Sequence, residues 1–442
     1  MDRRGAVQAA TLVVMGAIGF TLRLPSLSPG VQRFVEDRVE FSVPTNAWRR
    51  AAEGVFLHES GVDPYEGDMY HETPLCLIFL TKAKSLGETF LNRLFPACDI
   101  LTAICLYFFA KNLVEAMIIQ QRKDYASLKP KVQLLLTPFE DIPKVPLAVF
   151  IWYILNPFVI GSCMAKTTSV FTNLLLAAML LFTSFGSNPV ARVASLVFLA
   201  LASYQTLYLF LLFPALHLYL MTSVPDKQRS RLWYELGHLV VNLGIFGVTL
   251  SGLVIFSSMI MGSWTFLRGV YVFAVSSPDL TPNIGLFWYF FTEMFEQFRT
   301  FFVCTFFMNV CLYAIPVATK LRHDPPFAIF VLLILITIFK PYPSYGDVGF
   351  YMSLFPIWRR LEPLMKQTLI VSVMLLIAVV LFPVLWKLWI IAGSANSNFF
   401  YAITLVFIAS QVFFVCDVTL AHEKRQWQLK NNAETLEAIH LD

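Results

Sequence analysis

Long apolar runs recur along almost the whole chain, and no other feature limits its possible folds so strongly. About twelve of these runs have the length or the apolarity of a membrane-spanning helix. They cover approximately residues 6–22, 95–110, 146–164, 169–185, 189–202, 206–221, 236–261, 298–318, 327–339, 347–358, 368–390 and 400–420. Only 14% of the residues are charged, whereas soluble domains carry roughly 25%. We therefore predict an all-α, polytopic membrane protein with a single transmembrane domain over residues 1–420 and a cytoplasmic tail over 421–442.

The basic residues between these runs predict the side of the membrane on which each connection lies. Clusters of Lys and Arg fall within residues 111–144, 227–231, 320–323 and 359–366, and again at the start of the tail. Short connections rich in these residues stay in the cytoplasm, so we expect both chain ends on that side. The opposite, luminal side then holds a loop at 23–94, a junction at 264–295 and a loop at 391–399.

Two segments of the first luminal loop are expected to touch the membrane without crossing it. Trp48, Ala51, Val55 and Phe56 fall at roughly helical spacing, which predicts an amphipathic helix on the membrane surface. Residues 73–80 are apolar but few, whereas a span needs about 20 residues. We interpret this second segment as interfacial or re-entrant.

Several classes of function are disfavoured by the composition and by the motifs that the sequence lacks. The formal net charge of +4 is too small to indicate a nucleic-acid partner. The seven cysteines form no C-x-x-C pair, and most lie in apolar runs, so neither a disulfide framework nor a zinc site is indicated. No phosphate-binding loop, nucleophile elbow or zinc-peptidase motif occurs. We predict no cofactor and no metal.

Residues 276–308 combine a polar turn with an aromatic block at a predicted loop-to-membrane junction. Eleven Phe, Trp or Tyr residues lie between Leu286 and Met308. Glu293, Glu296 and Arg299 interrupt this block, and charges near membrane depth are costly unless they are used. Glu296 and Arg299 are spaced for a local ion pair. Glu293 is left to hydrogen-bond a head group or to contact another subunit.

Two further polar stretches on the luminal side admit both a functional and a structural interpretation. Residues 392–399, Ala-Gly-Ser-Ala-Asn-Ser-Asn-Phe, could bind a polyhydroxyl or phosphate head group through their amides, or simply form a tight turn. Glu36, Asp37 and Glu40 could act as a base or hold a metal, or could belong to a solvated surface of mixed charge. Glu36 and Asp37 would point apart on a helix, whereas Asp37 and Glu40 could share a face.

Several strings in the chain resemble the U-subunit family of the glycosylphosphatidylinositol (GPI) transamidase complex. The most specific strings are Ser-Pro-Asp-Leu-Thr-Pro-Asn-Ile-Gly-Leu-Phe-Trp-Tyr-Phe-Phe at 277–291 with Glu-Met-Phe at 293–295, and the stretch at 385–404. Shorter ones are His-Glu-Thr-Pro-Leu at 71–75, Leu-Asn-Pro at 155–157, and Asp347 within 342–351. The resemblance runs over most of the chain.

This resemblance implies a role in attaching GPI anchors in the endoplasmic reticulum (ER). The complex removes a C-terminal signal from a proprotein and joins the new carboxyl group to the ethanolamine of a GPI lipid. Its cysteine-protease chemistry lies on another subunit, which is therefore an implied partner, together with the remaining subunits, the ER membrane and the GPI lipid. The U subunit is thought to present that lipid. The lipid-binding residues that we would assign on this basis are Asn283, Phe287, Trp288, Phe291, Glu293, Phe295, Asn396, Asn398 and Phe400; no catalytic residue is assigned.

The family also resembles the multi-span GPI mannosyltransferases of the GT-C scaffold, and here the sequence departs from the enzymes. Those enzymes carry an Asp-x-Asp pair after the first span, and the nearest equivalent in this chain is Arg38-Val-Glu40. An arginine can neither accept a proton at neutral pH nor bind a metal. We therefore expect a non-catalytic, lipid-holding scaffold. The alternative is an active dolichyl-phosphate-mannose-dependent GPI mannosyltransferase; a transporter is a third possibility, although no clear inverted repeat is visible.

Overall fold

The computed structural model describes residues 3–24, 29–122, 128–222 and 232–432, and within them the chain forms helices and connecting turns without a β-strand. The first ten helices are α1 (Arg3–Leu22), α2 (Pro29–Glu36), α3 (Trp48–Glu59), α4 (Pro74–Ser85), α5 (Glu88–Arg122), α6 (Pro130–Gln133), α7 (Asp141–Ile154), α8 (Pro157–Met164), α9 (Ser169–Thr183) and α10 (Pro189–Gln205). The remaining described helices are α11 (Phe213–Met221), α12 (Leu232–Met261), α13 (Phe273–Ser276), α14 (Phe287–Thr292), α15 (Glu296–Lys320), α16 (Pro325–Phe339), α17 (Tyr345–Leu354), α18 (Thr368–Trp386) and α19 (Ser397–Asn431). Tighter 3₁₀ turns occupy Leu207–Leu212 and Phe355–Leu364, and wider π turns occupy Leu267–Val272 and Lys387–Ile391.

Five of the described helices are long and apolar enough to cross a membrane, which makes this an all-helical chain with several candidate spans. They are Glu88–Gln121, Trp233–Met261, Glu296–Lys320, Thr368–Ile391 and Ser397–Asn431. The pair α7 and α8 adds a sixth if its 44° bend is one broken span. The bend falls at Leu155-Asn-Pro157: Pro157 begins α8, and the Asn156 side chain accepts from the Phe158 amide.

Helix α16 forms the centre of the bundle. Almost all of its side chains are buried, which agrees with the rule that a helix apolar on every side lies in a core. By contrast, only 11% of the most apolar 18-residue stretch of α12 is buried, and only 17% of the corresponding stretch of α18. These two helices therefore present apolar surface to lipid or to partner helices.

The loop at 23–94, which we predicted to be luminal, is largely helical in its described residues. Helix α3 confirms the predicted amphipathic helix, but its Ala51 and Val55 pack into a protein cluster with Tyr70 rather than facing a membrane. The contact is so close that a Cβ atom on Gly54 would lie 2.0 Å from the Tyr70 ring. Helix α4 has 12 residues, fewer than the roughly 20 that a span requires.

A buried ion pair that the sequence pattern did not predict joins α1 to α5 and α7. Arg23 donates to the Asp99 carboxylate at 2.5 Å, and Tyr153 donates to the other oxygen at 2.6 Å. The same guanidinium also donates to the backbone carbonyl of Ile154 at 2.8 Å. All three side chains are fully buried. This network fixes where the first helix meets the bundle.

Helix α19 extends well beyond position 421, where we predicted the cytoplasmic tail to begin. Its 35 residues run without interruption to Asn431. Near that end His422 contacts Asp324 at 3.2 Å, and Arg425 donates to the Leu135 carbonyl at 2.9 Å. Residues 421–431 are therefore packed, and the end of the predicted tail, 433–442, lies outside the described residues.

Candidate functional site

Two stretches that lie far apart in the sequence meet in one aromatic cluster. Trp288 on α14 lies 6.2 Å from Trp389, 6.1 Å from Phe400 and 5.7 Å from Tyr401, measured between ring centroids. Trp386 adds an edge contact to Phe400 at 5.4 Å. We call these five residues the aromatic cluster. It brings two of the predicted lipid-binding residues, Trp288 and Phe400, into contact.

The predicted aromatic residues divide into buried and exposed ones. Phe287 and Phe291 are buried beside Phe306 on α15, at centroid distances of 4.8 and 5.8 Å. Phe400 is completely buried, whereas Phe295 is 75% exposed. Buried members of this set support the local fold, while Phe295 remains free to contact an apolar ligand or a partner.

The three predicted asparagines all take part in local hydrogen bonds. Asn283 is buried; its Oδ1 accepts from the Gly285 amide at 2.7 Å, and its Nδ2 donates to the Thr281 carbonyl at 3.2 Å. Asn396 caps α19 by accepting from the Asn398 amide at 3.1 Å. Asn398 accepts from the Tyr289 hydroxyl. Since Asn396 and Asn398 are exposed, they retain donors for a ligand, whereas Asn283 acts within its own turn.

The junction loop at 277–285 is held by two arginines. Arg50 donates to Asp279 at 2.6 Å, and Arg299 donates to the Ser277 carbonyl at 2.9 Å. The predicted Glu296–Arg299 pair forms at 3.9 Å, but Glu296 is exposed. Burial acts to raise the pKa of Asp279, yet the hydrogen bonds from Thr281 and Arg50 outweigh it and leave the pKa below its ordinary value. The loop is thereby fixed against α3 and α15. Glu293, which follows α14, is exposed.

Arg38 forms an ion pair with the carboxylate of Glu40. Nitrogens of the guanidinium donate to both carboxylate oxygens, one of them at 2.9 Å, and both side chains are buried. The guanidinium also lies over the Trp386 ring of the aromatic cluster, at 5.6 Å from its centroid. A buried bidentate pair of this kind leaves the carboxylate unavailable as a base or a metal ligand.

The other two candidate acids pair with an arginine that is largely exposed. Arg49 contacts Asp37 at 2.5 Å and Glu36 at 3.6 Å. Helix α2 ends at Glu36, so Asp37 and Glu40 do not share a helical face, contrary to the possibility raised by their spacing. The three acids therefore do not converge on one site.

A pocket separate from the aromatic cluster lies among segments predicted to be luminal. This pocket is partly open to solvent. Its walls come from the segment before α3, the starts of α9 and α17, the ends of α10 and α16, and the turn before α13. We call it the central pocket.

The string His71-Glu72-Thr73 lies in and behind one wall of this pocket. His71 lines it, stacks on Phe273 with a centroid distance of 3.4 Å, and contacts the Gly269 carbonyl at 2.8 Å. Burial lowers the pKa of His71, against the hydrogen bonds that its ring makes with the Gly269 and Asp68 carbonyls. Glu72 accepts from Thr168 and Gln205, both of which line the pocket. Burial raises the pKa of Glu72 to about 7, against the effect of these two hydrogen bonds.

These pocket residues were absent from the site that we predicted. The available signal was the His-Glu-Thr-Pro-Leu string at 71–75, which carried part of the family resemblance but contained no recognised catalytic spacing. Its partners Thr168 and Gln205 are roughly one hundred residues away, and no local periodicity connects them.

Comparison with known proteins settles the family. The model of the family "GPI transamidase subunit PIG-U" matches residues 17–407. The chain belongs to the PIG-U family. It is 39% identical over 426 residues to the GPI-anchor transamidase component PIGU of Homo sapiens, and 40% identical over 426 residues to that of Cricetulus griseus, covering 95% of each chain in both cases. It is also 30% identical over 415 residues to the GPI transamidase component GAB1 of Saccharomyces cerevisiae, covering 93% of this chain and 94% of the relative.

Membership of the PIG-U family confirms the resemblance inferred from the motif strings. The match covers the junction loop, all five residues of the aromatic cluster, and every segment that lines the central pocket. The site features described above therefore lie within the part of the chain that defines the family.

Proposed function

We propose that this chain is a non-catalytic membrane subunit of a GPI transamidase complex that binds the GPI lipid and presents it for transfer in the ER. Family membership supports the place in the complex. The observation that most favours a non-catalytic role is the Arg38–Glu40 pair, because it replaces and occupies the acidic site of the related mannosyltransferases.

In this proposal the lipid lies along the aromatic cluster and the exposed junction next to it. The acyl chains contact the membrane-facing surface near Phe295, beside the buried Phe287 and Phe291. Polar groups of the lipid meet Asn396 and Asn398, whose amides are exposed. Glu293 supplies a hydrogen bond to the lipid or to a partner. Phe400, Trp288 and Asn283 hold this surface in shape from within.

The proposed topology has about twelve spans on the GT-C scaffold, with both ends of the chain in the cytoplasm. Five long helices and one bent pair are joined by shorter apolar helices. Enclosure within the bundle, as for α16, permits short helices at membrane depth. The Lys and Arg clusters favour this orientation.

The catalytic cysteine-protease-like subunit and the remaining subunits are the proposed protein partners. The apolar and largely exposed faces of α12 and α18 would take their transmembrane helices or annular lipid.

An active mannosyltransferase remains the alternative function. It requires a free acidic group on the luminal side, and Glu36, Asp37 and Glu40 are all bound to arginines. A labelled mannosyl donor and a GPI precursor test it directly. Transfer that depends on the donor and disappears in Glu40→Ala would contradict the non-catalytic role.

The proposed function is tested by purifying the chain from its native membrane and identifying the proteins and lipids that accompany it by mass spectrometry. We expect several subunits, one of them a cysteine-protease-like chain, and bound GPI lipid. A lone chain without lipid would refute the proposal.

The lipid-contact residues are tested by replacing Phe295 with Ala, and Asn396 and Asn398 together with Ala, and then measuring GPI-anchored protein at the cell surface and lipid in the purified complex. Asn431→Ala, at the opposite end of the same helix α19, is the matched control. Both readouts should fall in the test variants and stay unchanged in the control. Normal values in the test variants, at normal expression, would remove these residues from the site.

A further inference from the structure

We infer that the central pocket binds an uncharged pyranose sugar, and that it receives part of the glycan of the lipid proposed above. This inference deepens the proposed function and rests on it. The pocket is distinct from the aromatic cluster, and none of the lipid-binding residues that we predicted from the sequence lines it.

The first support is hydrogen-bonding capacity that the protein does not use. Thr45, Thr172 and Thr206 all line the pocket, and among the described residues their hydroxyls have no hydrogen-bond partner. Asn46 accepts from the Val43 amide through Oδ1, which leaves its amide N–H₂ free on a side chain that is only 7% exposed. None of these atoms is among the fully buried unpaired polar atoms of the described residues, so they are open to solvent or to a ligand in the pocket. Several donor-acceptor groups facing one cavity match a ligand with several hydroxyls.

The second support is the absence of a net charge that could attract an anion. Lys340 lines the pocket, but its ammonium lies 2.7 Å from the Asp347 carboxylate, which lines it too. His71 also lines the wall, and burial lowers its pKa. A phosphate would therefore enter without an uncommitted cation, whereas a neutral sugar needs none.

The third support is the arrangement of three tyrosines. Tyr208, Tyr271 and Tyr342 line the pocket, and their hydroxyls donate to the carbonyls of Ala274, Tyr204 and Asp279 at distances of 3.1, 3.0 and 2.9 Å. With the hydroxyls engaged by backbone, the rings remain as rigid apolar walls. A pyranose combines polar edges with apolar C–H faces, so it can use both kinds of wall.

The wall opposite these rings is preorganised by Glu72. Gln205 donates to Glu72 and accepts from the Thr73 hydroxyl at 2.8 Å, so the orientation of its amide is fixed. Thr168 is fixed by the same carboxylate. Glu72 is thus a positioning residue, because it acts through Gln205 and Thr168. Fixed partners reduce the entropy lost when a ligand binds.

The pocket also adjoins the junction loop that leads to the aromatic cluster. The Tyr342 hydroxyl donates to Asp279 of that loop, and a Cβ atom on Gly285 would lie 2.7 Å from Pro343. The wall at 341–343 and the junction loop are therefore in direct contact. A glycolipid anchored at the cluster has a short path by which its sugar reaches the pocket.

The test uses the full chain in its purified complex and a photoreactive methyl mannopyranoside as the probe. Labelled peptides are located by mass spectrometry. We expect labelling near residues 168–172 and 205–208. Excess unlabelled methyl mannopyranoside should compete, whereas inorganic phosphate at the same concentration should not. Equal competition by phosphate would overturn the assignment of a neutral sugar.

The double variant Thr172→Val/Thr206→Val removes two unused hydroxyls without breaking a hydrogen bond of the described structure. Loss of two neutral hydrogen bonds should reduce labelling about tenfold. Thr305→Val is the control, since this threonine is exposed on α15 away from the pocket. Labelling that is unchanged in the double variant would refute the inference.

Lipid retention is measured in the same preparations and separates the two proposals. If GPI lipid is present but labelling ignores the pocket variants, the sugar site is wrong and the proposed function stands. If the pocket is labelled as expected but the wild-type complex contains no GPI lipid, the sugar site stands and the proposed function fails.

Discussion

Arg38 and Glu40 form a buried bidentate ion pair two residues apart, over the ring of Trp386. The pair joins the segment between α2 and α3 to the aromatic cluster. Taking one partner from a buried pair leaves an uncompensated charge and costs about 3–5 kcal/mol, whereas removing both costs less.

We therefore predict that Arg38→Ala destabilises the protein by about 3 kcal/mol and that the double variant Arg38→Ala/Glu40→Ala recovers much of this loss. Thermal unfolding of the detergent-solubilised protein gives both values. Arg33→Ala, on the same segment but exposed, should change little. If the double variant is less stable than Arg38→Ala, the pair is not the source of the effect.

Glu72 makes stability depend on pH near neutrality. Its pKa in the folded protein is about 7, compared with 4.5 for the free side chain. A raised carboxyl pKa means that the folded state binds the proton more tightly than the unfolded state does. The stability that comes from protonated Glu72 is therefore fully present below pH 4.5 and is lost as the pH rises through 7. Over that interval the slope approaches about 1.4 kcal/mol per pH unit.

Glu72→Gln should flatten this part of the profile, because the amide has no proton to lose and can still bond to Thr168 and Gln205. The measurement is the difference in unfolding midpoint between wild type and variant at pH 5.5, 6.5 and 7.5. A difference that stays constant with pH would show that Glu72 does not titrate in this range.

Gly54 packs so closely against Tyr70 that we expect position 54 to tolerate no side chain. Because an added Cβ would overlap the buried ring, Gly54→Ala should destabilise the protein by about 2 kcal/mol, despite the better helix propensity of alanine. Gly67→Ala is the matched control, since nothing lies within 4 Å of its added Cβ. Equal unfolding midpoints for the two variants would contradict the close packing of α3 on Tyr70.

Trp288 and Phe295 should respond differently to truncation although both belong to the predicted site. Trp288 is buried in the aromatic cluster, so Trp288→Ala should cost about 3–5 kcal/mol. Phe295→Ala removes an exposed ring and should change stability by less than about 0.5 kcal/mol. Thermal unfolding in lipid-free detergent separates the two. A large loss for Phe295→Ala would show that its ring is covered.

The spans were the most predictable part of the fold because their apolar pattern is local. The run expected at 298–318 is helix α15, and the run at 368–390 is α18 with the turn that follows it. The contacts of charged residues were not predictable. Arg23 and Asp99 are separated by 76 positions, and nothing in either local pattern indicates the other as its partner.

For the site, sequence reasoning singled out the two distinctive strings that meet in the aromatic cluster, and their contact with lipid stays a prediction. It assigned Asn283 to a ligand, whereas the side chain is occupied within its own turn. It also passed over the central pocket, because that cavity is assembled from single polar residues of many segments. A pocket of this kind has no motif; it exists only after the helices have packed.

Helix α19 has a mechanical consequence. Its 35 residues measure about 52 Å, well beyond the roughly 30 Å of a bilayer's hydrocarbon core. Phe400 secures one end in the aromatic cluster, and Arg425 secures the other against Leu135. A displacement at the aromatic cluster would therefore reach the contact with Leu135 along one unbroken helix.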